Sequence, residues 1–495
     1  MSTECYYIGF IKLSPFSVKE YLTSEYIQNH DVVYIRIFSF NEELSHSVIS
    51  QICLAYLLQY NTSEPLDKNL KVSSPLAKYA ARHWISHTLS SGKNKSQSSV
   101  VSALMIKLLT DENAAFLNWV QVCNIDNYDS MHLRRQRDQI AKPLYCASLA
   151  GLTEASYTLL EMGADTNAEG GNFGNALQAA SYEGHDTTVK LLIEKGADVN
   201  AQGGYYENAL QGASYTGHEA TAKLLIENGA DINAQQRYYE NALQAASYEG
   251  HEAIAKLLIE KGADVNAQGG RYGNALQATS CTGHEAIARL LMEKGAEVNA
   301  EGGRYGNALQ AASYEGHEEI AKLLIERGAD VNAQGGRYGN ALQAASNEGH
   351  EAIAKLLIEK GANIHAQGGF FGNALQAASS RGCEAIATLL IEKGADVNAQ
   401  ARYYGNALQA ASNGGHEAIA RLLIENRADV NAQGGYYGTA LQAASYRGHE
   451  AITKLLIRKG ADVNAQGGYY GNALQAASDG GHEAIASLLI ENGAV

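Results

Sequence analysis

Two helical patterns of apolar and polar positions alternate along most of the chain, and residues 241–270 show one copy of both. The Ala-rich residues 242–247 predict a helix of about two turns. Residues 252–261 follow with one apolar stripe, which predicts a second, amphipathic helix. The predicted stripe consists of Ala253, Ile254, Leu257 and Leu258.

Local signals mark the ends of both helices. The side-chain oxygen of Asn241 can accept a hydrogen bond from a free amide in the first turn of the first helix. Gly250 separates the helices, and Glu252 lies where the helix amides leave a positive partial charge. Gly262 can adopt the left-handed conformation that ends the second helix. Residues 263–270, rich in Gly and Asn, then predict a turn that projects from the helix pair.

The same unit recurs every 33 residues without an insertion. A unit of this size cannot bury its apolar face alone, whereas stacked copies complete one another's core. Lys142, one period before Asn175, begins a divergent first copy, so the sequence predicts a solenoid of about eleven units over 141–495. The capping positions of the ten regular copies are Asn175, Asn208, Asn241, Asn274, Asn307, Asn340, Asn373, Asn406, Thr439 and Asn472.

This unit is similar to the ankyrin repeat, which consists of a helix, a tight turn, a second helix and a projecting turn in 33 residues. The resemblance implies an all-α solenoid with projecting β-turn fingers. The chain has Asn-Ala-Leu-Gln where the family usually has Thr-Pro-Leu-His. In the finger, Gly replaces the usual Asp, and an aromatic residue replaces the usual Gly. The segments that carry the resemblance are Gly250-His251, Lys256-Leu257-Leu258 and Gly262-Ala263-Asp264-Val265-Asn266-Ala267.

The first 140 residues do not repeat, and their pattern predicts a small, mainly helical region over 41–140. Arg134-Arg135-Gln136-Arg137 is interpreted as a solvated junction, with a nucleic-acid or localisation signal as the alternative. The predicted helices lie within 42–60, 76–89 and 100–122, and the predicted loops are 61–75 and 90–99.

Three segments resemble, in the same order, a region of fungal signalling NTPases of the NACHT type, which are NLR-like receptors. They are residues 11–24, 52–58 and 79–84. In that family the region lies between an NTPase module and a sensing repeat array, and the resemblance implies a winged-helix remnant over 1–40. The sequence has no Gly-x-x-x-x-Gly-Lys-[Ser/Thr] motif to bind phosphates. The resemblance therefore implies the C-terminal part of such a receptor without its NTPase module.

Composition limits the classes of function. The formal net charge of −15 argues against nucleic acid, because a duplex binds clustered Lys and Arg. The six cysteines have unrelated spacings, and the chain has no secretory start, so we expect reduced thiols in a cytoplasmic protein. The longest apolar runs are far shorter than the about 20 residues that cross a bilayer, so we expect no membrane segment.

A histidine recurs in nine copies, from His185 to His482, and raises the question of a metal site. Equivalent rings on packed helices should lie about 8 to 10 Å apart, which is too far to share a zinc ion with bonds of about 2.0 to 2.1 Å. We therefore interpret the histidines as groups that hydrogen-bond the turn between helices. The sequence shows no catalytic Ser/His/Asp or Cys/His set, so it predicts no enzyme, no metal and no cofactor.

Positions that vary between otherwise identical copies are not required for stacking, and they suggest a binding face. One is the finger residue before an invariant aromatic, and two adjacent positions lie at the end of the first helix. The resemblance implies that these positions line the concave and finger face that contacts partners in ankyrin proteins. Tyr and Arg at such positions often anchor protein interfaces. The predicted partner-binding residues are Tyr205, Tyr238, Arg271, Arg304, Arg337, Phe370, Tyr403, Tyr436 and Tyr469 in the fingers, and Tyr182, Tyr215, Tyr248, Tyr314 and Tyr446 in the first helices.

The finger position directly after the variable finger residue is always aromatic, from Phe173 to Tyr470. We expect each of these rings to pack on the neighbouring finger. At the variable positions, stacking of single-stranded nucleic acid on the rings is an alternative to a protein partner, and the acidic charge disfavours it. These patterns predict a protein-binding array that serves as the sensor part of a NACHT-type signalling or nonself-recognition protein and contacts an NTPase module. The alternative is a free-standing scaffold or adaptor whose N-terminal region caps the first unit at 142–163.

Overall fold

Short helices dominate the structure, as the periodicity and capping signals predict. The computed structural model describes residues 42–60, 75–91, 95–110, 114–123, 141–235 and 241–495, which contain 26 helices. Four of these helices precede the repeats: α1 (Glu42–Leu58), α2 (Pro75–Ser90), α3 (Lys95–Leu108) and α4 (Ala114–Cys123).

Eleven helix pairs follow, one for each predicted repeat. The pairs are α5 (Pro143–Leu149) and α6 (Thr153–Glu161); α7 (Ala176–Tyr182) and α8 (Asp186–Glu194); α9 (Ala209–Thr216) and α10 (Glu219–Glu227); α11 (Ala242–Glu249) and α12 (Glu252–Glu260); α13 (Ala275–Thr282) and α14 (Glu285–Glu293); α15 (Ala308–Glu315) and α16 (Glu318–Glu326); α17 (Ala341–Glu348) and α18 (Glu351–Glu359); α19 (Ala374–Arg381) and α20 (Glu384–Glu392); α21 (Ala407–Gly414) and α22 (Glu417–Glu425); α23 (Ala440–Arg447) and α24 (Glu450–Arg458); α25 (Ala473–Asp479) and α26 (Glu483–Glu491).

The helix pairs form because each copy satisfies its own free backbone groups. In one copy, Asn307 Oδ1 accepts a hydrogen bond from the Gln310 amide at 2.8 Å. Gly316, with φ +88, takes the left-handed conformation that ends α15, and its amide donates to the Ala312 carbonyl. Glu318 lies in the first turn of α16, where the helix dipole favours a negative charge. Local sequence therefore determines where these helices begin and end.

The buried stripe of the second helix differs from the predicted one. In α12 the buried residues are Ile254, Ala255 and Leu258, and Leu257 is half-buried. Ala253, which the prediction placed on the stripe, is exposed. Since Ala253 and Ala255 have the same side chain, the apolar pattern cannot distinguish them, and helix packing decides which one is buried.

The chain divides into two compact units. Of the described residues, the first unit comprises those up to 213 together with 220–230, and the second comprises 214–219 together with those from 231 onward. In the first unit α1 packs against α2 and α3, and α3 contacts α6 of the first repeat. From α11 to α26, in the second unit, the first helices of the copies pack on one another in one row and the second helices in another.

The N-terminal helices have an aromatic core. Trp84 and Trp119 are buried and pack edge to face with ring centroids 5.3 Å apart. Trp119 Nε1 donates a hydrogen bond to the Ala81 carbonyl at 2.9 Å. This region is therefore a packed helical subdomain, as the spacing of its apolar residues predicts.

Two predicted boundaries in this region are wrong. The segment predicted as helical over 100–122 forms two helices, α3 and α4, and α3 begins at Lys95, inside the predicted loop 90–99. Residues 95–99 are polar, so apolar periodicity could not reveal the first turn of α3. Three other predicted features lie outside the described residues: the winged-helix remnant at 1–40, all of the loop 61–75 except Pro75, and the basic segment 134–137.

The described part of the chain holds neither a membrane span nor a disulfide. Its helices are too short or too polar to cross a bilayer. Its five cysteines are free thiols: Cys53, Cys123, Cys146, Cys281 and Cys383.

Candidate functional site

A glutamine side chain links the helix pair of one copy to the finger of the next. Gln310 is buried in α15, and its Nε2 donates to the carbonyls of Ala333 at 3.1 Å and Gly339 at 2.9 Å. Both carbonyls belong to the following finger. The glutamine therefore fixes the position of that finger relative to the preceding helices.

The fingers are tight turns closed by their own backbone. The Gly302 amide donates to the Gly306 carbonyl at 2.8 Å in the finger before α15. Gly303 has φ +61, and a Cβ there would lie 2.4 Å from the carbonyl carbon of Tyr272 in the preceding finger, so the site requires glycine. Neighbouring fingers also join, because the Arg304 amide donates to the Arg271 carbonyl at 3.1 Å. Adjacent finger residues are therefore held at a fixed spacing.

The invariant finger aromatics pack inside the fingers. Phe173 and Tyr206 stack with ring centroids 6.2 Å apart, and Phe371 and Tyr404 stack at 5.9 Å. The predicted packing of each ring on the neighbouring finger is confirmed for these pairs. The buried members are Phe173, Tyr206, Tyr272, Tyr305, Tyr338 and Tyr437; Phe371, Tyr404 and Tyr470 are half-buried, and Tyr239 lies outside the described residues.

The first-helix tyrosines predicted to bind a partner are half-buried, and four of them stack on finger rings. Tyr314 stacks on Tyr338 of the next finger with centroids 4.2 Å apart, and Tyr446 stacks on Tyr470 at 4.2 Å. These rings therefore help to pack the fingers, a role that variation between copies does not reveal. The five half-buried residues are Tyr182, Tyr215, Tyr248, Tyr314 and Tyr446.

Four exposed rings stand in line on consecutive fingers of the second unit, and we call Phe370, Tyr403, Tyr436 and Tyr469 the fingertip row. Ring centroids of successive members lie 5.3, 6.0 and 5.0 Å apart. Their side chains remain 38% to 70% exposed. The Tyr436 amide donates to the Tyr403 carbonyl at 2.8 Å, so the backbone fixes the spacing of the rings. Contiguous exposed apolar groups of this kind are typical of interaction sites.

Three arginines occupy the finger positions before the fingertip row. Arg271, Arg304 and Arg337 are exposed. The Arg337 guanidinium carbon lies 5.9 Å from the centroid of the Phe370 ring, within the range of a cation–π interaction. The fingers therefore present positive charge beside exposed rings. The other two predicted finger residues are Tyr205, which is exposed in the first unit, and Tyr238, which lies outside the described residues.

Burial keeps the inner hydroxyl and thiol groups neutral. It raises the pKa of the Tyr272 and Tyr305 hydroxyls above the ordinary range for tyrosine. Tyr305 donates a hydrogen bond to Glu315 Oε1 at 2.6 Å. Burial is also the main cause that raises the pKa of the Cys281 thiol, which disfavours a reactive thiolate. These groups therefore suit packing better than chemistry.

The recurring histidines bond to the preceding copy. His350 Nε2 donates to the Tyr314 carbonyl at 2.9 Å, and its ring occupies the space beside Gly316. The predicted hydrogen-bonding role is confirmed, with the acceptor near the end of the first helix of the preceding copy. Within the described ranges, no group of three or more His, Cys, Asp or Glu is placed to hold a metal ion. Bonds of 2.9 to 3.2 Å to the equivalent carbonyl are made by His185, His251, His284, His317, His416, His449 and His482.

A cavity of about 200 Å³ opens between fingers of the second unit, beside Asn347 near the end of α17. Arg304, Arg337 and Phe370 of the predicted site line this cavity. Comparison of the copies identifies position 347 as variable but does not reveal a cavity. The only sequence signal is an Asn where five other copies have Tyr.

The comparison with protein families agrees with the repeat structure. The family model described as Ankyrin repeats (3 copies) matches residues 177–269, 268–335, 334–401 and 407–495, more than half of the chain. The azaphilone pigments biosynthesis cluster protein L of Monascus ruber is 35% identical over 191 residues. That match covers 36% of this chain and 39% of the relative's length. The crystal structure of the human ASB11 ankyrin repeat domain matches at 24% identity with a TM-score of 0.41, covering 45% of this chain and 99% of that chain.

Proposed function

Because this chain belongs to the ankyrin-repeat family, we propose that its repeats bind a protein partner through the fingers. The observation that carries this proposal is the fingertip row, in which four aromatic rings stay exposed at regular spacing. A buried aromatic side chain contributes roughly 150 to 250 Å² of contact area, so four such rings can form the centre of an interface. Arg337 extends the row with a positive charge, and arginine is enriched at such centres.

Different groups in each finger serve the scaffold and the proposed interface. The Tyr436 and Tyr469 amides join neighbouring fingers, whereas their rings remain exposed to solvent. The half-buried ring of Tyr314 packs against Tyr338 instead. We therefore assign partner contact first to the exposed finger residues, and we assign to the first-helix tyrosines mainly the support of the fingers.

For the whole protein, we propose a cytoplasmic role as the sensing part of a NACHT-type signalling or nonself-recognition receptor. The resemblance of residues 11–24, 52–58 and 79–84 to that family supports this role. The proposal predicts that the chain associates with an NTPase module. Co-precipitation with NTPases of this type from the native source tests it, and failure to associate with any of them contradicts it.

A free-standing adaptor is the second candidate. It is favoured by the contact of α3 with α6, which covers part of the first repeat with the N-terminal helices. In this case, removal of the residues before Ala141 should lower the stability of the repeats while leaving their partners unchanged. Loss of partners from a truncated chain whose repeats remain folded contradicts the adaptor role.

A fingertip variant with four Ala substitutions tests the proposed contact surface. It should keep the helical circular dichroism and melting temperature of the natural chain, because these side chains are exposed. Partners captured from the native source should be lost, and a purified partner should bind at least about tenfold more weakly by calorimetry. If every partner persists, the assigned surface is wrong. The fingertip variant carries Phe370→Ala, Tyr403→Ala, Tyr436→Ala and Tyr469→Ala, and the control carries Lys256→Ala and Lys355→Ala on exposed second-helix positions.

A further inference from the structure

The cavity beside Asn347 lies where other copies place a tyrosine ring. In the preceding copy, Tyr314 lies between two finger rings, with centroids 5.6 Å from Tyr305 and 4.2 Å from Tyr338. In the copy that contains α17, Asn347 stands at the same position, between the finger of Tyr338 and the finger of Phe371. Asn347, whose side chain is smaller than that of tyrosine, lines the cavity of about 200 Å³. The cavity therefore lies where the preceding copy packs a ring between two fingers.

The volume and lining of the cavity fit one aromatic side chain. A buried apolar cavity of roughly 150 Å³ is large enough to hold benzene, so about 200 Å³ has room for a substituted ring. Tyr314, Tyr338, Phe370 and Phe371 supply aromatic surfaces on which such a ring can pack. The same packing already exists in this protein, since Tyr446 stacks on Tyr470 at 4.2 Å.

Charged groups around the cavity favour an acidic ligand. Three arginines and one glutamate line it, namely Arg304, Arg337, Arg381 and Glu348. Glu348 is already engaged, because Arg381 approaches its Oε1 at 3.4 Å and Asn347 Nδ2 donates to the same oxygen. Arg304 and Arg337 are exposed, and their charges can act on groups beside a bound ring. The lining therefore carries an excess of positive charge.

One buried polar atom beside the cavity has no partner. Asn347 is only 4% exposed, and its Oδ1 has no hydrogen-bond partner among the residues that the structure describes. An unsatisfied buried acceptor is energetically unfavourable, so a ligand donor that reaches this oxygen when Asn347 turns removes a penalty. A tyrosine hydroxyl or an indole N–H can supply that donor.

We infer that this cavity holds an aromatic side chain of the partner, Tyr or Trp, flanked by acidic residues. The inference rests on the proposed protein-binding function and names the residue type that anchors the partner. The ring stacks in the cavity beside Asn347, and the flanking carboxylates lie near Arg304 and Arg337. The neighbouring fingertip row contacts the rest of the partner.

Asn347→Tyr is the decisive variant, because it fills the cavity with the residue that five other copies already carry. Its fold should therefore be preserved, as circular dichroism and thermal unfolding can verify. Asn413→Tyr is the matched control, since it makes the same change at the same repeat position two copies further on. Arg337→Gln is a second variant, which removes one charge from an exposed side chain while keeping most of its length.

The probe is the peptide acetyl-Gly-Asp-Tyr-Asp-Gly-amide. It is titrated against the whole chain, and its binding is measured by saturation-transfer NMR. Replacing its Tyr by Ala, or both Asp residues by Lys, should abolish detectable binding. Asn347→Tyr should weaken binding of the parent peptide by about tenfold or more, as expected when an anchoring ring is shut out, and Asn413→Tyr should change it less than about twofold. Arg337→Gln should weaken binding of the parent peptide but not that of a version with Asn in place of Asp.

Two outcomes overturn the inference. One is no binding of the parent peptide to the natural chain at about 5 mM, the weak limit for a single anchor. The other is equal binding to the natural chain and to a folded Asn347→Tyr variant. Neither result touches the proposed function, which is tested separately by loss of captured partners from a variant with Tyr403→Ala, Tyr436→Ala and Tyr469→Ala that keeps Phe370, because Phe370 also lines the cavity. If those partners persist, the assignment of partner binding to the fingertip surface is wrong. The peptide result does not depend on that assignment.

Discussion

Replacing Gln310 by Ala should destabilise the array locally, because this side chain ties one copy to the next. Gln310 is 2% exposed, and its Nε2 donates to the Ala333 carbonyl at 3.1 Å and to the Gly339 carbonyl at 2.9 Å. Each lost bond costs about 1 kcal/mol net, and the carbonyl of the buried Gly339 loses this donor. The substitution also leaves a small cavity, which adds about 1 kcal/mol.

One term opposes this loss. Gln310 Oε1 is buried and has no hydrogen-bond partner among the described residues, so its removal returns about 1 kcal/mol. The expected net decrease in the free energy of unfolding is therefore about 2 to 3 kcal/mol. A cost of this size is large for one side chain in a domain.

The chain supplies its own control in Gln475. It stands at the equivalent position of the last copy, but it is exposed, and its Nε2 donates to Asp479 Oδ1 at 2.6 Å instead of to a following finger. Gln475→Ala should cost less than about 0.5 kcal/mol, as is usual for exposed substitutions. The two variants remove the same atoms, so their difference gives the combined effect of burial and of the bonds between copies.

Urea unfolding combined with hydrogen exchange is the appropriate assay, because repeat arrays can unfold in stages and one transition midpoint is then not sufficient. For Gln310→Ala, amides of the finger at 333–339 should lose protection together with the overall loss of stability. If Gln310→Ala and Gln475→Ala cost the same within about 0.5 kcal/mol, the glutamine does not link the copies energetically.

Three further predictions concern the same scaffold. Gly306→Ala should lower the free energy of unfolding by more than about 2 kcal/mol, as measured in urea, because Gly306 has φ +104 and a Cβ there would meet Gln310 Oε1. A decrease below about 1 kcal/mol would show that the finger adapts to the added methyl group. Tyr314→Ala should lower the free energy of unfolding by about 2 to 4 kcal/mol, because it removes a stacked, half-buried ring. Tyr469→Ala should lower it by less than about 0.5 kcal/mol, because Tyr469 is exposed. Equal melting temperatures of the two variants would refute the assigned roles. Burial is the main cause that lowers the pKa of His449 in the folded chain. The unfolded chain therefore binds a proton at this residue more readily than the folded chain does, and stability should fall as the pH drops below about 6.5. His449→Gln should make the fall between pH 7 and pH 5.5 shallower, and an unchanged slope in urea titrations at several pH values contradicts this linkage.

Much of the repeat structure could be predicted because its determinants are local. The Asn307 cap and the left-handed Gly316 lie within a few residues of the helix ends that they define, so sequence alone reveals them. The same holds for the amphipathic second helix, although not for the choice between Ala253 and Ala255. That choice depends on neighbouring helices, which a single apolar pattern does not contain.

The candidate site was less predictable because its contacts run between copies. The repeat position of Tyr314 varies from copy to copy, which predicts a place on the binding face, yet the Tyr314 ring stacks on Tyr338 of the next finger. Variation shows that a position tolerates change, but it does not show that the side chain is exposed. The cavity beside Asn347 was harder still to predict, because Ser380 and Asn413 also replace the tyrosine in the next two copies and the sequence does not show which of these positions borders a cavity.

The bonds between copies also determine how this protein can change its length. From α11 onward, the histidine that precedes a second helix reaches back to a carbonyl 36 positions earlier, and glutamines such as Gln310 reach forward to carbonyls 23 and 29 positions later. Removal or duplication of one complete copy of 33 residues joins identical donors to identical acceptors, whereas any other change of length leaves a donor facing the wrong atom. Unequal recombination between copies can therefore lengthen or shorten the row of fingers in whole units, and so exchange one recognition surface for another without a new fold.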